Sequence, residues 1–178
     1  MFSNYVDILS NCSKNILKDL GNIDISDVTI KQYTSLLATF SIAHSIHYED
    51  SKKKVKGDFI LGFVDESEAT PLVTAIAENI GLSAIDNFDD IVTDVINEFL
   101  NTVARHFATE CSKSGLHIHM SPAIVYQNKK IDISDMSNTI VYLMSFDFAP
   151  DTIKAEFKAE NLSLILTFTK TGDDNLTE

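Results

Sequence analysis

The sequence predicts an α+β fold in which about three helices pack on an antiparallel sheet. Three features point there. Apolar residues recur at helical spacing in three stretches, they alternate with period two elsewhere, and two of the alternating runs are joined by a short polar turn, as in a hairpin. The chain has 178 residues, room for one compact domain. Hydrophobic residues make up 44% and charged residues 22%, too apolar for a disordered chain. No repeat, low-complexity tract or Gly/Pro/Ser linker divides it. Residues 1–170 are therefore expected to form one domain, with the polar, acidic residues 171–178 as a flexible tail.

Phe2, Tyr5, Val6, Leu9, Ile16, Leu17 and Leu20 fall at helical spacing, and Gly21 follows where a left-handed cap is expected. From Leu36 to Tyr48 the period changes: Phe40, Ile42, His44 and Ile46 alternate with Ser41, Ala43, Ser45 and His47, as in a half-buried strand. Lys52 to Gly57 makes a solvated turn, and Asp58 to Val64 pairs back as the second strand of a hairpin. A second helix ends near Ile80. Its start has two candidates: Asp65 with Glu68 resembles a capping box, and Thr70 with Pro71 resembles an N-cap followed by proline in the first turn. The longest helix runs from about Asn87 to Ser112, with Gly115 just beyond. Strands are expected over Leu116–Tyr126, Asn138–Phe148, Thr152–Ala159 and Leu162–Thr169.

Charge and cysteine content exclude several classes of function. Fourteen Lys and Arg against 26 Asp and Glu give a net charge of −12, the wrong sign for nucleic acid or anionic lipid, so neither is an expected partner. The Lys52-Lys53-Lys54 run is too short and isolated to alter that. The apolar runs are too short to span a bilayer, and no charged-then-apolar leader precedes the first helix. A cytoplasmic protein is expected, and the Asn11-Cys12-Ser13 and Asn161-Leu162-Ser163 sequons then have no route to glycosylation. Cys12 and Cys111 lie outside any CxxC or ligand-like spacing and are expected as free thiols.

The longest helix carries the candidate chemistry. At about 100° per residue, Ile91, Val92, Val95, Ile96, Phe99, Val103 and Phe107 form one broad apolar sector that faces the core. Asp94, Glu98, Asn101 and Arg105 gather into a narrow stripe opposite it, toward solvent. Any amphipathic helix has a polar face. This one places the like charges Asp94 and Glu98 one turn apart, at a cost of ~0.2–0.5 kcal/mol, with no basic residue on the helix positioned to relieve Glu98. Such a face would accept a cation from outside.

Here the chain resembles the CheC/CheX/FliY phosphatases of bacterial chemotaxis. Their signature is an Asp or Ser, three residues, Glu, two residues, Asn, and then a downstream Pro. This chain has Asp94, Glu98 and Asn101 at that spacing, then Pro122 in His119-Met120-Ser121-Pro122-Ala123. The order of the leading helix, the hairpin containing Gly57-Asp58-Phe59-Ile60-Leu61-Gly62, the Glu68 to Gly81 helix, the motif helix and a trailing sheet extends the likeness over all but the acidic tail. A second Glu-x-x-Asn with the upstream residue is absent, so the chain looks CheX-like: one motif per chain and a homodimer.

The resemblance implies a substrate that is the phosphorylated CheY-type response regulator itself, a protein presenting an aspartyl phosphate. It implies that Glu98 pairs with the regulator's active-site lysine and that Asn101 positions the attacking water. Asp94 and Pro122 would support docking or helix geometry. The chain would need no cofactor of its own, the Mg2+ belonging to the regulator. One position departs from the pattern: the family usually has a small residue, often Gly, where Arg105 stands. A long cation there could block the regulator's approach or contact its acidic or phosphoryl groups. The alternative reading is a dimeric docking module of the same fold that binds a signalling protein without turnover.

His117 and His119 lie two apart on an expected strand and share a face, as two metal ligands would, but no third ligand is evident, and they equally fit the wetter side of a half-buried strand. No metal site is expected.

Overall fold

A computed structural model describes residues 2–81, 88–132, 139–152 and 161–170. It contains three helices, α1 (Ser3–Gly21), α2 (Thr70–Asn79) and α3 (Phe88–Lys113), and seven strands: β1 (Ile25–Tyr33), β2 (Leu37–Asp50), β3 (Val55–Phe63), β4 (Ile118–Met120), β5 (Ile124–Asp132), β6 (Thr139–Phe148) and β7 (Asn161–Lys170). The helices pack on one antiparallel sheet of order β1-β6-β7-β3-β2, and β4 and β5 pair in succession along the free edge of β2. The α+β expectation holds. The strand expected over Thr152–Ala159 and the 171–178 tail lie outside the described residues, apart from Thr152.

One apolar core holds this together. Tyr5, Leu9, Ile16 and Leu17 of α1, Leu72, Val73 and Ile76 of α2, and Ile96, Phe99, Val103 and Phe107 of α3 meet Ile46, Tyr48, Phe59, Leu61, Met144, Phe146, Leu164, Leu166 and Phe168 of the sheet. Burial of this kind, at about 25 cal/mol per Å² of apolar surface, is the main force pressing the helices onto the strands. A smaller cluster of Ala43, Ile60, Val141 and Ile165 occupies the other face. Phe40, expected on the same side as Ile42, packs with this second cluster: Gly62 has no side chain, and a Cβ there would stand 2.5 Å from the Phe40 ring. Among the described residues no helix is long and apolar enough to cross a membrane.

Element boundaries follow local chemistry, with corrections. The left-handed cap of α1 is Asn22 (φ 50°), not Gly21, which is the last helical residue. Asn22 N–H donates to Lys18 O and Ile23 N–H to Leu17 O, a Schellman pattern sealed by the buried Leu17 and Ile23. Of the two candidate starts of the second helix, Asp65 acts as a cap but Thr70 does not: Thr70 is the first residue of α2, whose N-cap is Ala69 and has no side-chain capping bond. Asp65 caps a 3-10 turn over Glu66–Ala69, accepting from Ser67 N–H at 2.8 Å, and Pro71 then opens α2. The expected Lys52–Gly57 turn is shorter, because β2 runs to Asp50 and β3 begins at Val55. The stretch that sequence periodicity left empty between Gly21 and Leu36 is β1, an edge strand rich in polar residues.

Asp50 fixes the end of the hairpin. Its buried carboxylate accepts hydrogen bonds from Lys52 and Lys53 N–H, the Tyr5 hydroxyl and His117 N–H, at 3.0–3.2 Å. It thereby joins the β2–β3 turn, α1 and the segment leaving α3. Burial alone would raise its pKa, but the four donors outweigh that and hold it below the ordinary carboxylate value. A depressed folded pKa means that this contribution is complete above the ordinary value and disappears as pH falls through the folded one. Asp50→Ala is expected to destabilise the protein by ~3 kcal/mol or more, through four donors left without their acceptor. Urea titrations should also show Asp50→Asn losing less stability than the wild type on acidification below pH ~4.

Candidate functional site

The site lies where α3 crosses the β2–β4–β5 edge. The apolar sector read from the sequence faces inward: Ile96, Phe99, Val103 and Phe107 are fully buried and Val95 nearly so. Asp94, Glu98 and Arg105 are exposed, and Asn101 is half-buried at the margin of the stripe. Asn101, Arg105, Ala104, Ala108, Ile118, Met120, Ser121 and Pro122 line an open groove of about 420 Å³ between α3 and β4. Three of the five sequence-predicted site residues, Asn101, Arg105 and Pro122, thus meet at one groove. Glu98 reaches it through Arg105, and Asp94 stands further up the helix.

Pro122 shows how the chain builds this edge. The expected continuous strand over Leu116–Tyr126 is broken at Ser121-Pro122-Ala123 into β4 and β5. Proline has no N–H to give to a ladder, so pairing with β2 pauses there. Ser121 bridges the gap: its N–H donates to His47 O at 2.9 Å, and its hydroxyl accepts from His47 N–H at 3.1 Å. The break turns the next amide toward the helix, and Ala123 N–H donates to Asn101 Oδ1 at 3.2 Å. That bond settles which way the carboxamide points, since only its oxygen can face a backbone donor. The Asn101 amide nitrogen has no hydrogen-bond partner among the described residues.

The sequence reading left Glu98 without a cation on its own helix, and the structure corrects this. Arg105 Nη2 lies 3.3 Å from Glu98 Oε1 and 2.9 Å from Thr102 Oγ1, while the Thr102 hydroxyl donates to Glu98 Oε1 at 3.1 Å. The spacing of Glu98, Thr102 and Arg105 at i, i+4 and i+7 puts all three on one side of α3. The long arginine side chain spans two turns, a reach that nearest-neighbour pair rules overlook. Both charged groups stay wet, at 67% exposure for Glu98 and 70% for Arg105.

Two further residues, His44 and Asn97, have no site role in the sequence reading. His44 of β2 is fully buried beneath α3, its Nδ1 2.8 Å from Asn97 Oδ1. Burial lowers the His44 pKa, and the bond to Asn97 only partly opposes this, so the ring is neutral. Facing an amide oxygen, Nδ1 carries the proton, and Nε2 is buried with no partner. The available signal was the four-residue spacing of Asn97 and Asn101, which aligns two carboxamides on one helix face. His117 and His119 are exposed, and no group of three His, Cys, Asp or Glu suited to a metal occurs among the described residues. Cys12 and Cys111 are free and buried, which pushes their thiols up to about 11 and about 12 and keeps them protonated.

The Glu98–Thr102–Arg105 arrangement is an exposed ion pair, worth ~0–1 kcal/mol. Arg105→Ala is therefore expected to change the unfolding free energy measured in urea by no more than ~1 kcal/mol, leaving the α3 far-ultraviolet signal intact. A loss beyond ~2 kcal/mol would mean that the arginine holds the helix in place.

Comparison with protein-family models and with curated protein sequences gives no match. Solved structures do match. A CheC-like superfamily protein from Shewanella sp. PV-4 superposes with a TM-score of 0.69 at 18% identity, over 94% of this chain and 99% of that one. The chemotaxis protein CheX from Vibrio vulnificus gives 0.63 at 17% identity, over 93% and 99%. CheX from Borrelia burgdorferi, in a complex with CheY, BeF3 and Mg2+, gives 0.65 at 15% identity, over 93% and 98%. The likeness runs through nearly the full length of each chain while few residues are shared, so what it establishes is the architecture: this chain has the CheC-like fold of the CheX proteins.

Proposed function

We propose that the protein is a CheX-like phosphatase that accelerates hydrolysis of the aspartyl phosphate on a CheY-type response regulator. One observation carries this reading. On the outer side of α3 an exposed carboxylate, Glu98, and an oriented carboxamide, Asn101, stand three residues apart beside an open groove. The fold is one in which a CheX protein is found in complex with CheY, BeF3 and Mg2+.

The chemistry suits these groups. An acyl phosphate is already reactive, and its transfer to water needs mainly an in-line nucleophile and neutralised equatorial oxygens. In this reading the regulator brings the Mg2+ and a lysine, and this chain brings Glu98 to that lysine and Asn101 to the water. With Oδ1 tied to Ala123, Asn101 offers its amide N–H groups outward and keeps one lone pair of Oδ1 free. A carboxamide is no strong base, so its contribution is positioning. A hundredfold acceleration needs only ~2.7 kcal/mol, within what positioning supplies. Asp94 and Pro122 act through geometry, Pro122 by creating the break that presents Ala123. A homodimer, with one site per chain, and a cytoplasmic setting belong to the same proposal.

The second reading, docking without turnover, draws on Arg105, whose guanidinium occupies Glu98 at the place where a partner lysine would bind. A single assay separates the two. A CheY-type regulator is phosphorylated with a small-molecule donor in Mg2+, and its decay is followed with and without the protein. Stimulated decay is expected, and it should be lost by at least ~100-fold in Asn101→Ala while binding persists. Glu98→Ala should weaken binding as well. Undiminished turnover by Asn101→Ala removes the mechanism, and binding with no stimulation by the wild type favours the docking module.

A further inference from the structure

The margin of α3's buried face holds a polar contact that the proposed chemistry does not use. His44 is completely buried, its Nδ1–H donates to Asn97 Oδ1 at 2.8 Å, and its Nε2 is sealed off without a partner. Leaving a buried ring nitrogen unsatisfied is costly, so packing alone gives no reason for a histidine in the apolar layer beneath a helix. Asn97 is the residue before Glu98 and lies one helical turn before Asn101, on the same side of α3.

From this geometry we propose that His44 is a positioning residue: through Asn97 it fixes the rotation of α3 about its own axis, and so the place at which Glu98 and Asn101 are presented. Apolar contact is non-directional and tolerates a helix that rolls or slides, whereas a hydrogen bond fails within a few tenths of an ångström and a few tens of degrees. The two carboxamides of α3 are bonded to neighbouring parts of one surface, Asn97 to β2 and Asn101 to the Ala123 amide immediately before β5. His44 and Val125 are themselves partners in the β2–β5 ladder, so both bonds refer the helix to the same pair of strands. Side-chain tips stand ~6 Å from a helix axis, and a roll of ~10° moves them by ~1 Å. A displacement of that size at a reacting centre can cost ~10²-fold in rate.

The inference rests on the phosphatase reading for its consequence but has its own readout. Three variants separate hydrogen bonding from filling. His44→Asn keeps a donor near the place of Nδ1, His44→Gln moves it toward the place of Nε2, and His44→Leu removes it while best preserving an apolar volume. Each is compared with the wild type in kcat and KM on a CheY-type regulator loaded by a small phosphodonor, and in exchange of the Ala123 amide proton that Asn101 protects. Positioning predicts that His44→Asn stays within ~3-fold of the wild type, while His44→Gln and His44→Leu lose ~10-fold in kcat with little change in KM and exchange Ala123 ~10-fold faster. A packing role predicts the reverse order, with His44→Leu best and His44→Asn worst. That order, or three indistinguishable variants, overturns the proposal. If the wild type leaves regulator decay unchanged, the phosphatase reading falls and the Ala123 exchange order alone decides on His44.

Discussion

The candidate site depends on how one helix seats against one strand. α3 carries a fully buried stripe with its polar margin beside it, and a small roll displaces the polar residues before it costs much buried surface. The apolar stripe sets the depth of the helix. The bonds from Asn97 to His44 and from Asn101 to Ala123 set its angle. Both carboxamides sit where the buried face meets the wet one, the only zone in which an amide can have one end committed to the protein and the other available to solvent or a partner.

The sheet is shaped to make this seating reproducible. β2 is the longest of the described strands, paired with β3 along one side and with β4 and then β5 along the other. Its middle, Ile42 to Ile46, is buried on both faces, which pins its register, because a slip by one residue would send His44 to the wrong side of the sheet. Its far end is closed by Asp50, whose four donors also fix the segment that leaves α3 for β4. The groove beside Asn101 is thus bounded by backbone that is held at both ends: at Asp50 through His117, and at the Ser121 bridge to His47. A loop would leave such a wall free to adapt; paired strands keep it rigid.

How much of this was legible in the sequence depended on whether a feature repeats locally. The α3 stripe, the hairpin and the trailing strands repeat every two or every three to four residues, and Asp94, Glu98 and Asn101 lie on one helix, so spacing alone aligned them. β1 gave no such signal. As an edge strand with Ser26, Asp27, Thr29, Lys31 and Gln32 among its nine residues, it owes its existence to a partner, β6, more than a hundred residues away in the chain. His44 and Asn97 are likewise 53 residues apart, and the spacing of Asn97 and Asn101 on α3 does not point to His44 as the partner. The split of Leu116–Tyr126 was signalled by Pro122, but its outcome, an amide aimed at Asn101, belongs to the tertiary arrangement. Arg105 was visible and its partner misjudged, because a pair seven residues apart needs the full extension of the side chain and a threonine midway.

That pair bears on how the site would discriminate among partners. Glu98 Oε1 already accepts from one cation and one hydroxyl, so a partner lysine directed at that oxygen would have to exchange with Arg105. Between groups about two-thirds exposed, in water and salt, the ion pair is worth at most ~1 kcal/mol, less than a sixfold penalty in affinity. A productive partner overcomes that easily when its lysine is preorganised and desolvated on docking, conditions under which a charge-assisted bond is worth ~1.5–3 kcal/mol. A loose cation in bulk water gains nothing by the exchange. The arginine released at that moment stands at the groove beside Asn101, where a phosphoryl group or an acidic rim on the partner would meet it, recovering the cost of opening. In the proposed reading, a partner that offered both a cation for Glu98 and an anion for Arg105 would be favoured, a two-sided preference that a glycine at position 105 would not create.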